Sequence, residues 1–268
     1  MIEKKINEMG FIVGAWPFSL DRPTLVFISG AGANAIFWKD QVAALSDVAN
    51  TMAVDLPGHG ASGGKAAMTL YEYASAVNRL IETIDAPLPV PCGVSMGGGV
   101  VLELLIGMKN RFAAGIVINS AAKLPFFPII LEILRKNKSR RIDYHRLFSE
   151  LAISTKSDLE KMRVLIDGSA TLNPQVSICD ISACNGFDVT GALHEIRGPV
   201  LVIVGSDDVI IPPSNGHDLT EKISRSQLVQ IADAGHLAPI EKPAEINRAI
   251  RRFLSDHGLS PATHPFCS

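Results

Sequence analysis

The spacing of hydrophobic and polar positions alternates between two signals. Residues 24–29 (TLVFIS), 51–55 (TMAVD), 90–95 (VPCGVS), 113–120 (AAGIVINS), 199–206 (PVLVIVGS) and 226–233 (SQLVQIAD) are short apolar runs closed by small or polar residues. Such runs predict buried strands. Between them the period lengthens. Over 69–85, Leu70, Tyr73, Ala74, Val77, Leu80, Ile81 and Ile84 share one helical stripe. Helices are also expected over 35–47, over the segment MGGGVVLELLIGM that follows Ser95, and over 243–254 with Pro243 in the first turn. Residues 4–15 alternate weakly, as an opening hairpin would. Apolar strands that alternate with helices indicate a parallel sheet covered on both faces, an α/β architecture.

The alternation breaks once, over about 122–190. That stretch contains LPFFPIILEILRKNKSRR, YHRLFSELAI, SDLEKMRVLIDG and PQVSICDISACNGFD, with no clear strand. It reads as a helical cap inserted between two strands. The core is then 1–121 with 191–268, and the cap is 122–190.

Composition narrows the function. With 47% hydrophobic and 19% charged residues, the chain can bury a large core. A net charge of −2 gives no basic face for nucleic acid. Cys92, Cys179, Cys184 and Cys267 form no C-x-x-C pair and no metal-ligand spacing, so reduced thiols in a cytoplasmic protein are expected. The start of the chain lacks a continuous apolar signal segment. The apolar stretch ending at Met108 is too short to span a bilayer and carries Glu103, so no stable membrane insertion is expected. The partner is expected to be a small molecule, the protein a monomer or homodimer, and no metal or cofactor is required.

The strongest chemical signal is Gly93-Val94-Ser95-Met96-Gly97, placed where a strand ends and an apolar helix begins. A serine on so tight a turn needs neighbours without colliding side chains, and it lies beside free N–H groups of a helix start. A hydroxyl also needs a base. His236, in the loop after the last strand, is the candidate, and chain order places an acid between the two. GSDDVIIPP offers Asp207 and Asp208. Asp208 is favoured because it fits the spacing G-x-x-D-x-x-x-P from Gly205 to Pro212. The oxyanion donors are expected from Met96 and from the loop Ser29-Gly30-Ala31-Gly32-Ala33-Asn34, through the N–H of Ala31. That loop lacks the third glycine of a dinucleotide fingerprint, and no P-loop lysine motif occurs. His59 in Pro57-Gly58-His59-Gly60 tempts as catalytic. Asn119, at a strand end, is an amide and unsuited as the acid.

Taken together, SGAGANAIFW, DLPGHGAS, GVSMGG, GSDDVIIPP and DAGHLAPIEKP resemble the α/β-hydrolase superfamily, in its serine esterase and C–C-hydrolase-like branch. The resemblance covers nearly all of the chain outside the cap. It implies an eight-stranded, mostly parallel sheet, a helical lid after the sixth strand, and a triad of Ser95, Asp208 and His236. Ala31 and Met96 take the oxyanion positions, and by the same resemblance His59 supports its turn rather than the chemistry. One departure is Ser29-Gly30, where family members often have His-Gly.

The activity expected from this pattern is hydrolysis of a carboxylic ester, lactone or thioester through an acyl group on Ser95. Alternatives are a C–C bond hydrolase acting on a vinylogous diketone, a cofactor-free haloperoxidase or perhydrolase, and a ligand receptor on a hydrolase fold. An aspartate nucleophile, as dehalogenases and epoxide hydrolases use, is excluded by the serine. Gly30, Phe126, Phe127, Ile130 and Leu237 are candidate substrate contacts. The run Arg135, Lys136, Lys138, Arg140 and Arg141 reads as a solvated cap face.

Overall fold

The structure is a computed structural model, and it describes residues 1–108, 111–124, 151–170 and 173–260. Eight strands form one sheet: β1 (Ile2–Ile6), β2 (Met9–Val13), β3 (Thr24–Ile28), β4 (Asn50–Val54), β5 (Pro89–Val94), β6 (Gly115–Ile118), β7 (Val200–Gly205) and β8 (Ser226–Ile231). Their spatial order is β1-β2-β4-β3-β5-β6-β7-β8. The β1–β2 hairpin and the β2–β4 pair are antiparallel, and every pair from β4 to β8 is parallel. The mostly parallel sheet expected from the alternation is present, and the weak alternation over 4–15 is the hairpin.

The described helices are α1 (Lys39–Ala44), α2 (Leu70–Thr83), α3 (Met96–Gly107), α4 (Leu159–Ser169), α5 (Pro174–Asn185), α6 (Ser214–Lys222), α7 (Ala238–Glu241) and α8 (Pro243–Asp256). A 3-10 turn, Ala35–Trp38, precedes α1. Helix α2 starts at a capping box in which Thr69 and Glu72 satisfy each other's backbone N–H groups. Helix α6 carries few apolar residues, so its periodicity is faint in the sequence; only Gly216 and Leu219 are buried.

The strands are apolar throughout because both faces are covered. Along β3, Val26 and Ile28 join a cluster with Val77, Val100 and Leu104. Leu25 and Phe27 join the opposite cluster with Trp38, Ile116, Ile203, Ile250 and Phe253. Alternate side chains therefore enter alternate cores. Among its described residues, the stretch between β6 and β7 carries α4 and α5. Its ends meet where Lys123 bridges Asp188 and the N–H of Val189 donates to the carbonyl of Ala122 at 2.8 Å. No helix among the described residues is long and apolar enough to cross a membrane.

Trp38 tests the second core. It is fully buried, stacked on Phe27 at 5.0 Å and edge-on to Phe37 at 5.2 Å. Trp38→Ala is expected to cost about 3–5 kcal/mol, read as a lower urea midpoint at unchanged slope.

Candidate active site

Strand β5 ends at Val94 and α3 begins at Met96, which leaves Ser95 alone on the turn. Its backbone is at φ 55° and ψ −121°, a conformation that costs a residue with a β-carbon on the order of 1–3 kcal/mol. The flanking glycines make the turn possible. A β-carbon on Gly93 would lie 2.1 Å from the Gly97 carbonyl oxygen, and one on Gly97 would lie 2.2 Å from that of Ile28. Hydrogen bonds from several elements then hold Ser95 in place. Its N–H donates to the Ile118 carbonyl at 3.0 Å. Its own carbonyl accepts from Ser120 Oγ at 2.7 Å and from the Gly98 N–H at 2.9 Å.

The loop after strand β7 carries Asp208, the candidate acid. Asp208 is buried, and its Oδ1 accepts from the N–H groups of Ile210 and Ile211, both at 2.9 Å. Its Oδ2 lies 2.8 Å from His236 Nδ1. An ionised carboxylate only accepts, so Nδ1 carries the proton and Nε2 is the basic nitrogen. Asp207 faces elsewhere. It accepts from Ser154 Oγ and Ser206 Oγ and pairs with Lys156 at 3.4 Å. Chiefly the Ser154 bond, then those of Ser206 and the Lys156 charge, hold its carboxyl below the ordinary range. Of the two adjacent aspartates, Asp208 is the one on the histidine.

The histidine loop is fastened on every side. Asn119 Nδ2 donates to the carbonyls of Gly235 and His236, each at 2.8 Å, while its Oδ1 accepts the Gly205 N–H at 2.7 Å. The His236 N–H donates to the Ala152 carbonyl at 2.6 Å. Glu241 accepts the Gly235 N–H, the Ser154 N–H and the Ser157 hydroxyl. Gly205 lets β7 and this loop approach, since a β-carbon there would lie 2.4 Å from the Gly235 oxygen.

The glycine loop after β3 reaches the same place. A β-carbon on Gly30 would stand 3.2 Å from Ser95 Cβ. Ser29 Oγ donates across the loop to the Asn34 carbonyl at 2.9 Å, which is what serine contributes in place of the family's common histidine. The loop's N–H groups are assigned one by one. Gly32 donates to Asp180 Oδ2 at 2.8 Å, Ala33 to the Gly30 carbonyl, and Asn34 to the Ser169 carbonyl. The N–H of Ala31 has no acceptor among the described residues. The N–H of Met96 belongs to the first turn of α3, where helical partners are lacking.

With strand order, elbow and loops in place, the sequence matches the model of the alpha/beta hydrolase family over residues 25–249. The chain belongs to that family. Among curated relatives of this hydrolase is 3-oxoadipate enol-lactonase 2 of Acinetobacter baylyi, 30% identical over 87% of this chain and 89% of the relative. Another is the pimeloyl-[acyl-carrier protein] methyl ester esterase of Neisseria meningitidis serogroup B, 28% identical over 87% of this chain and 92% of the relative. Among solved structures, the enol-lactonase of Burkholderia xenovorans LB400 superposes with a TM-score of 0.84 at 22% identity, over 95% of this chain and all of that one, a likeness of fold.

The expected site residues divide as follows. Ser95, Gly30, Ala31, Asp208 and His236 lie on turns and loops at the carboxyl ends of β3, β5, β7 and β8, and Met96 opens α3. Leu237 is half-buried and packs on the second core. Phe126, Phe127 and Ile130, with the run Arg135 to Arg141, lie outside the described residues. His59 supports its turn, with Nδ1 at 3.1 Å from the Pro57 carbonyl, but its Nε2 also reaches Asp180 at 2.9 Å. Sequence reading missed Asp180, Glu241, Ser120 and the bridging role of Asn119. Only Glu241 carried a hint, through the motif HLAPIEKP. Among the described residues, no three His, Cys, Asp or Glu side chains are grouped to hold a metal ion.

Asn119→Asp tests the bridge. A carboxylate there has no proton to give to Gly235 and His236. The expected loss is about 1–3 kcal/mol for the stranded carbonyls, measured by urea denaturation.

Proposed function

We propose that this hydrolase cleaves a carboxylic ester or lactone through an acyl-enzyme on Ser95. The observation that carries the reading is the buried His236–Asp208 pair at 2.8 Å, on loops at the same sheet edge as the strained Ser95 turn. In this reading His236 Nε2 takes the Ser95 proton as Oγ attacks the carbonyl carbon. The carbonyl oxygen becomes an oxyanion between the N–H groups of Ala31 and Met96. His236 returns the proton to the leaving oxygen as the C–O bond breaks. Water then attacks the acyl group by the same route and frees Ser95. Asp208 holds the imidazole in one tautomer and stabilises the imidazolium.

The substrate class draws support from the relatives. One is an enol-lactonase and another a methyl ester esterase, and both reactions break an acyl C–O bond. The helical excursion over 122–190 serves as a cap above the elbow. A cytoplasmic setting, with Cys92, Cys179 and Cys184 as free thiols, completes the reading.

A fluorophosphonate probe and a series of p-nitrophenyl esters and small lactones test it. The wild type should be labelled at Ser95 and should turn over repeatedly. Ser95→Ala should abolish both and keep the fold. Asp208→Asn should lower kcat by about 10⁴-fold, as loss of the acid does in a trypsin-type triad. A single slow turnover would mark a receptor instead, and an active Ser95→Ala protein would refute the assignment.

A further inference from the structure

Asp180 lies on α5, inside the cap excursion, and is fully buried. Its carboxylate meets three groups from three other parts of the chain. Oδ2 accepts the Gly32 N–H at 2.8 Å and lies 2.9 Å from His59 Nε2, and Oδ1 accepts from the Tyr73 hydroxyl at 2.5 Å. His59 is fully buried as well. Both of its ring nitrogens face oxygen atoms, Pro57 O on one side and Asp180 Oδ2 on the other.

The protons can be placed from the partners. A peptide carbonyl has no hydrogen to give, so Nδ1 of His59 is protonated. If His59 were neutral, Nε2 would be a bare acceptor and Asp180 would have to donate to it from Oδ2. That oxygen would then be a carboxylic hydroxyl, a poor acceptor for the Gly32 N–H. An accepting Asp180 carboxylate opposite a doubly protonated His59 satisfies every contact. The surroundings agree. Burial works to strip the proton from His59, but the bond to Asp180 and its charge, the Pro57 carbonyl and the Asp55 charge outweigh it, so His59 holds its proton above the ordinary range. Burial, then the charge of Asp180, push the Tyr73 phenol far up, so Tyr73 is a donor. The other titratable groups around the pair are Asp55, from the end of β4, and Cys184 on α5, whose thiol burial keeps protonated.

We propose that Asp180 is a positioning residue for the oxyanion hole: paired as a carboxylate with a His59 imidazolium, it grips the Gly32 N–H and thereby sets the neighbouring Ala31 N–H against Ser95. The proposal rests on the assignment of Ser95 and Ala31 made above. It gives a cap helix a direct hold on the hole. The hold is reinforced where the N–H of Asn34 donates to the Ser169 carbonyl at the end of α4.

Asp180→Asn separates this role from packing, because the amide keeps the volume. If its oxygen stays on Gly32, a neutral His59 Nε2 faces it lone pair to lone pair. If its nitrogen turns to His59, Gly32 loses its acceptor. Either way the loop loosens. The expected result is a kcat for p-nitrophenyl esters lower by about 10- to 100-fold with KM within about threefold, since a misplaced donor weakens the transition state more than the bound ester. Fluorophosphonate should label Ser95 more slowly but to completion. In the wild type, ¹⁵N spectra of the His59 ring at pH 7 should show both nitrogens protonated. A wild-type kcat in Asp180→Asn overturns the proposal, as does a His59 with one protonated nitrogen. If Asp180→Asn does not fold, Tyr73→Phe removes one donor from the same carboxylate; kcat should fall several-fold at constant KM, and an unchanged kcat counts against the idea. Failure of the Ser95 reading looks different: the wild type itself would remain unlabelled.

Discussion

The backbone of Ser95 occupies a conformation that a β-carbon disfavours, and much of the molecule is arranged to keep it there. The strain is on the order of 1–3 kcal/mol. Each of the bonds to Ile118, Ser120 and Gly98 returns about 1 kcal/mol. The remainder comes from geometry. Gly93 and Gly97 let the strand, the helix and the end of β3 approach within distances that any β-carbon would forbid. The turn therefore depends on parallel neighbours on both sides of β5, which the sheet order supplies. Loosening that sheet would let Ser95 relax to an ordinary φ and drop its hydroxyl away from the loops of β7 and β8.

The segment between β6 and β7 also holds the loops at this edge. Its described residues are bonded to two loops that reach toward Ser95. The Ala152 carbonyl takes the His236 N–H, and a β-carbon on Gly235 would collide with that same carbonyl. Ser169 and Asp180 hold the glycine loop from the other side. A rearrangement of this segment would move the histidine loop and the glycine loop together. In the proposed mechanism, the positions of the histidine and of the glycine loop are thus tied through the same backbone contacts.

The legible parts of the site are those whose requirements are local. Gly93-Val94-Ser95-Met96-Gly97 announces its turn because the Gly93 collision arises within the strand–turn–helix itself, whereas that of Gly97 is with the end of β3. Asp208 was separable from Asp207 by its spacing to Gly205 and Pro212, and the structure gives it the histidine and gives Asp207 the serines and Lys156. The illegible parts are long-range. Asp180 bonds Gly32 from 148 positions away, and no pattern within PQVSICDISACN marks it as a hub. His59 was readable as turn support through the family resemblance, but not as half of a buried pair. Asn119 was readable as something other than the acid. Its use as a bridge depends on Gly205 and His236 meeting across the sheet edge. The fold was more legible than the site because a parallel sheet needs only apolar runs at intervals, and α6 was missed because its buried face is two residues wide.

Four acidic side chains at this edge serve one physical need. Beyond the ends of parallel strands the backbone N–H groups lose their ladder partners, and burial denies them water. Asp55 takes those of Ala35 and Ala61, Asp180 that of Gly32, Asp208 those of Ile210 and Ile211, and Glu241 those of Gly235 and Ser154. A carboxylate suits this work because its two oxygens accept several donors at once. The cost of burying so much negative charge is offset by those donors and, for Asp180 and Asp208, by histidines. The consequence for catalysis is selective. Every other donor on the glycine loop beyond Gly30 is satisfied, and the N–H of Ala31 has no acceptor among the described residues, as the proposed oxyanion role requires. Preorganisation of the proposed hole is then a matter of which donors have been given partners as much as which have been left without one.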